Sequence, residues 1–108
     1  MNDKSEIIQI LVRKIVEEVN PLRIILFGSA ARGQMGPDSD IDLLVVMPEG
    51  THQRHTAQRL YRNIHHAGAP FDVLVATPSI LEKHKDNIGL IYRTILLEGR
   101  EIYAKGLS

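Results

Sequence analysis

Apolar positions recur first at helical spacing. Ile8, Leu11, Ile15 and Val19 stand three and four residues apart, which predicts one buried helical face with Ser5 as the cap that opens it. Asn20-Pro21 ends that helix, because the residue before a proline is pushed out of the α region. Leu22 to Phe27 is then an apolar run broken only by Arg23, and it stops at Gly28: a buried strand running into a turn. Residues 28–40 (GSAARGQMGPDSD) form a loop, with a short helical turn expected at Ser29–Arg32. Ile41 to Met47 is the strongest strand signal, and Pro48, Glu49 and Gly50 close it. A second amphipathic helix is expected from Thr51 to His66, with Ala57, Leu60, Tyr61 and Ile64 inside. Phe71 to Ala76 is a third strand, and a short helix runs from Pro78 or Ser79 to about Lys85. Ile88 to Leu97 reads as a last helix closed by Gly99, with Glu101-Ile102-Tyr103 an edge strand or a tail.

The expected class is α+β: a small mixed β-sheet with flanking helices, covered largely on one face. At 108 residues, with no internal repeat and no linker-like stretch, the sequence reads as a single domain spanning 1–108. Composition alters this little, at 44% hydrophobic and 24% charged residues. Charge and cysteine usage exclude more. Thirteen basic residues balance thirteen acidic ones, so no global basic field attracts nucleic acid non-specifically. The absence of cysteine removes disulfides, thiolate nucleophiles and Cys-based metal sites. No window resembles a membrane span, and Asp3, Glu6 and the helical periodicity argue against a signal peptide, so a cytoplasmic setting is expected.

The acids carry the first chemical signal. Asp40 and Asp42 flank Ile41 at the start of the best strand, so their side chains share a face about 6.6 Å apart. Asp72 lies one residue into the next apolar strand. A carboxylate there is costly unless a positive charge meets it. Three carboxylates at the ends of neighbouring strands can converge, and Mg²⁺ or Mn²⁺ resolves their repulsion, since hard cations prefer carboxylate oxygen. The competing reading makes each aspartate a turn cap; it suits Asp38, in a Pro-Asp-Ser turn, better than the other three.

The second signal is Gly28-Ser29-Ala30-Ala31-Arg32-Gly33, directly after a buried strand. Such a turn offers free backbone N–H groups and a hydroxyl to phosphate oxygens. It is neither a Walker A sequence nor a dinucleotide fingerprint, and alone an ordinary tight turn explains it as well. An Asp-x-Asp a few residues later makes the combination specific.

GSAARG, SDIDLLV and FDVLV together resemble the polymerase-beta-like nucleotidyltransferase superfamily, whose pattern is Gly-Ser, a spacer, Asp-x-Asp and a third acid on a later strand. The short chain is similar to the minimal nucleotidyltransferases, and the resemblance covers essentially all of it. It implies a palm-like nucleotidyltransferase fold, two Mg²⁺ ions and a nucleoside triphosphate, with ATP the expected donor. Residue by residue, it implies that Gly28 and Ser29 contact the triphosphate. Asp40, Asp42 and Asp72 would be the catalytic, metal-binding carboxylates, with Asp72 as general base. Arg32 either adds charge at the departing pyrophosphate or pairs with Asp38 or another loop acid. Minimal nucleotidyltransferases are often antitoxins that modify a helical HEPN toxin, so the resemblance implies AMP transfer to a hydroxyl of such a partner. Two other readings remain: a two-chain enzyme acting on a small molecule, and a non-catalytic module that neutralises a partner by contact.

Four of the five histidines and three arginines fall within 51–66, and His55, Arg59, Arg62 and His66 share one helical face. A solvated polar face is the plainer reading of that stripe, and docking of an acidic partner the sharper one. Arginines between the candidate ligands argue against zinc.

Overall fold

Leu11 and Ile15 are fully buried, as their helical spacing requires, and they anchor α1 (Lys4–Val19) against the sheet. The computed structural model describes residues 4–33, 40–64 and 68–106. Because α1 already includes Lys4, Ser5 sits inside the first turn and is not the cap that the sequence suggested. Asn20 ends the helix in the left-handed region (φ 51°), where asparagine is tolerated, and its N–H donates to the Val16 carbonyl.

The chain continues through β1 (Arg23–Phe27), the single turn α2 (Gly28–Ala31), β2 (Ile41–Val46), α3 (Gln53–Asn63) and β3 (Phe71–Ala76). It ends with α4 (Pro78–His84), α5 (Ile91–Glu98) and β4 (Arg100–Ala104). Among the described residues the strands form one four-stranded mixed sheet, in the order β3-β2-β1-β4. The tail alternative for Glu101–Tyr103 is thereby settled: these residues pair antiparallel with β1 as an edge strand. β1 and β2 are antiparallel, whereas β2 and β3 are parallel with α3 as their crossover.

The sheet is covered on both faces, a correction to the expected one-sided layer. Ile41, Leu43 and Val45 turn to α1 and α3, where they pack with Leu11, Ile15 and Leu60. Leu44 and Val46 turn the other way and meet Ala76, Leu81 of α4 and Ile95 of α5. Strand alternation therefore assigns Asp42 to the α4/α5 side.

Helix α3 is shorter at both ends than the apolar pattern implied. Its start is set by His52, whose Nδ1 accepts the His55 N–H at 3.2 Å, while Thr56 Oγ1 donates to the His52 carbonyl at 2.9 Å. Tyr61 is 44% exposed and not a core residue. Its ring stacks on Phe71 and its hydroxyl accepts the Val73 N–H at 2.8 Å. Gln53 Nε2 donates to the Val75 carbonyl at 2.7 Å, so two α3 side chains satisfy the outer edge of β3.

Candidate active site

The β2–β3 register sets Asp42 opposite Asp72. Neighbouring strands lie about 4.8 Å apart, and alternation turns the two side chains to one face. Asp40, immediately before β2, has the same parity. Asp42 is partly buried, and Asp40 and Asp72 are exposed. Partial burial pushes the Asp42 carboxyl above the usual carboxylate range, and the charges of Asp72 and Asp40 push it further. Asp72 is raised for the same first reason, then by the charge of Asp40 and a hydrogen bond between these two carboxyls. The leading causes of both shifts are burial and the neighbouring acids.

The same geometry explains Gly28. It follows β1 with φ +71°, a region that side chains rarely adopt, and a Cβ there would run into Asp42 Oδ2. Glycine is required twice: by the turn, and because the backbone passes directly against a site carboxylate. Ser29 is partly buried in α2, and among the described residues its hydroxyl has no hydrogen bond.

Gly28, Arg32 and Asp42 line one wall of a cleft of about 380 Å³. Phe27 contributes to it from the end of β1, and Ile91, Thr94 and Glu98 form the facing wall. These three α5 residues were missed by sequence reasoning. The signal available was their spacing of three and four, which places them on one helical stripe. Asp40 and Asp72 do not line this cleft; Asp72 stands on β3, across from Asp42, and Asp40, just before β2, is hydrogen-bonded to Asp72. Asp38, the loop acid weighed as a partner for Arg32, lies outside the described residues. A larger groove of about 1060 Å³ runs between α1 and β4 and contains none of these residues, so the chemistry belongs with the smaller cleft.

Among the described residues, no group of three His, Cys, Asp or Glu side chains is placed to hold a metal ion. Three mutually repelling carboxylates, two of them with raised proton affinity, are nevertheless a donor set that suits a hard divalent ion. The residue types, though not a ready-made site, are those that hold such ions.

The basic stripe on α3 has a structural use. Arg59 Nε donates to Glu18 Oε1 at 2.8 Å, and Asn63 Nδ2 donates to the same oxygen at 2.7 Å, tying α3 to α1. These two hydrogen bonds, with the Arg59 charge behind them, hold the Glu18 carboxyl below its usual range. His55 stacks on His52 with ring centres 4.0 Å apart, and His66 lies outside the described residues.

The structure is thus a mixed sheet flanked by helices, with carboxylates at the start of two parallel strands beside a Gly-Ser turn. The nucleotidyltransferase domain family matches residues 7–102, and the chain belongs to that family. A crystal structure of a protein from Sulfolobus solfataricus, provisionally described as a nucleotidyltransferase, shares the fold with a TM-score of 0.61. The two are 20% identical over 92% of this chain and 78% of that one. No curated protein sequence matches the chain. Among the described residues, no helix is long and apolar enough to cross a membrane.

Proposed function

We propose that the chain transfers a nucleoside monophosphate, AMP from ATP, to a hydroxyl of a partner protein, and that the partner is a small helical HEPN-type toxin which it neutralises. Family membership supports nucleotidyltransferase activity in general. One observation carries the catalytic reading: Asp40, Asp42 and Asp72 come together at the start of β2 and β3, against a glycine turn with no room for a side chain.

In this reading the β- and γ-phosphates lie against Gly28 and Ser29, and Arg32 meets the negative charge that grows on the departing pyrophosphate. The acceptor oxygen forms its bond to the α-phosphorus as the bond to the bridging oxygen breaks, and pyrophosphate leaves with that electron pair. The hydroxyl proton passes to the Asp72 carboxylate at the start of β3. Two Mg²⁺ ions held by the three aspartates would supply acidification of the hydroxyl and charge neutralisation at the leaving group.

The test uses ATP labelled at the α-phosphate, Mg²⁺, and the chain co-expressed with the product of its neighbouring reading frame. Label is expected on that product with the native chain and not with Asp42→Asn. Neutralisation that survives Asp42→Asn, with no label transferred, would replace the catalytic reading by inhibition through contact.

A further inference from the structure

We propose that α5 is the nucleoside-recognising wall of this site, with Ile91 packing against the base and Thr94 hydrogen-bonding the nucleoside. The inference rests on the nucleotidyltransferase reading and adds what that reading lacks, a place for the part of the donor that is not phosphate.

Gly28, Arg32 and Asp42 line one side of the cleft. A triphosphate held there has its nucleoside directed at what remains of the lining. Phe27 and Ile91 are the two large apolar side chains of that lining, and Thr94 is its neutral hydroxyl. A volume of about 380 Å³ is of the size that small-molecule sites use. Ile91 is 50% exposed although it sits on a helix that packs on the sheet. A flat aromatic base laid between Phe27 and Ile91 would cover that surface. Thr94, one turn along the same stripe, has no hydrogen bond among the described residues. Its hydroxyl can donate to a ring nitrogen or accept from an amine or ribose hydroxyl.

Exposure of apolar side chains is not by itself evidence here, because Ile88, Leu90, Leu96 and Leu97 of the same segment are exposed too. What separates Ile91 from them is that it alone lines the cleft with Asp42. Leu97, 69% exposed and outside the lining, is the internal control.

The experiment is titration calorimetry of the full chain in Mg²⁺ with two probes, ATP and inorganic tripolyphosphate. Native chain should bind ATP more tightly than tripolyphosphate. Ile91→Ser should weaken ATP about tenfold, the scale expected for losing two buried methylene-sized contacts, and leave tripolyphosphate unchanged. Thr94→Val, which keeps the shape and removes the hydroxyl, should weaken ATP severalfold with the same indifference to tripolyphosphate. Leu97→Ser should change neither. Equal affinity of native chain for the two probes, or an Ile91→Ser effect that is absent or equal for both, overturns the nucleoside wall. Equal losses of ATP affinity in Leu97→Ser and Ile91→Ser overturn it as well, by pointing to general damage to α5. Tripolyphosphate that fails to bind in Mg²⁺ overturns the underlying phosphate site instead, so the two failures are separable.

Discussion

Replacing Asp42 with asparagine should stabilise the metal-free chain. Asp42 faces Asp72 across one strand spacing and has Asp40 beside it, and both neighbours push its carboxyl upward. Two unit charges about 4.8 Å apart repel by about 0.9 kcal/mol in water and about 3.5 kcal/mol at an effective dielectric of 20. Exposure of Asp40 and Asp72 sets the answer near the lower figure, so about 1 kcal/mol is expected at pH 7. For a domain of this size that raises Tm by about 4 °C. Among the described residues no hydrogen bond of Asp42 to the protein offsets the gain.

The pH dependence fixes the cause. A carboxyl whose pKa is raised by folding binds its proton more tightly in the native state than in the unfolded one, so native stability falls as pH rises from the ordinary aspartate range through the raised value. The gain from Asp42→Asn should vanish in acid and reach its full size at neutral pH. Thermal unfolding in EDTA across pH 3 to 8 reads this directly, and Mg²⁺ should raise the Tm of native chain more than that of the variant. A variant less stable than native chain at pH 7 in EDTA, or a gap that does not change with pH, would refute the account of a strained acidic cluster.

Gly28→Ala should cost about 2 kcal/mol from the left-handed backbone alone. It should also displace the Asp42 carboxylate, so that affinity for the ATP–Mg²⁺ complex falls together with Tm in calorimetry. Tyr61→Phe keeps the stack on Phe71 but removes the acceptor of the Val73 N–H, and should cost about 1 kcal/mol while speeding hydrogen exchange at Val73 and leaving ATP binding unchanged.

Much of this site is legible in the sequence because its elements announce themselves locally. Continuous apolar runs fix β1, β2 and β3, and an aspartate inside such a run stands out by its cost alone. The same local logic fails where partners are distant along the chain. Nothing in Arg100–Ala104 tells that it pairs with β1, 74 to 81 residues earlier, while the strands between them fill the other side. The second layer was underestimated because Leu81 and Ile95 belong to short helices, in which one buried residue per element gives almost no periodic signal. Helix α3 was drawn too long because the apolar pattern continues to Ile64, which is buried but already extended beyond the last turn. Tyr61 reads as core by spacing, whereas its hydroxyl is held at the sheet edge by Val73. The α5 stripe escaped for a related reason: Ile91, Thr94 and Glu98 become one surface only when α5 is laid beside Gly28 and Asp42.

The two sides of Asp42 differ in a way that orders the proposed reaction. Asp42 lies on β2; the cleft opens toward β1, α2 and α5, and Asp72 stands on β3 in the opposite direction. Phosphoryl displacement is in line, with attacking and leaving oxygens on opposite sides of phosphorus. In the proposed reaction a triphosphate seated on Gly28 and Ser29 would direct its leaving pyrophosphate toward the cleft, and the attacking hydroxyl would then come from the β3 side, where the proposed base, Asp72, stands. The outer edge of β3 is already closed by Tyr61 and Gln53, so an acceptor does not reach Asp72 by adding a strand to the sheet. In that reaction it would arrive at the start of β2 and β3, where Asp40 and Asp72 are exposed, end-on to the strands.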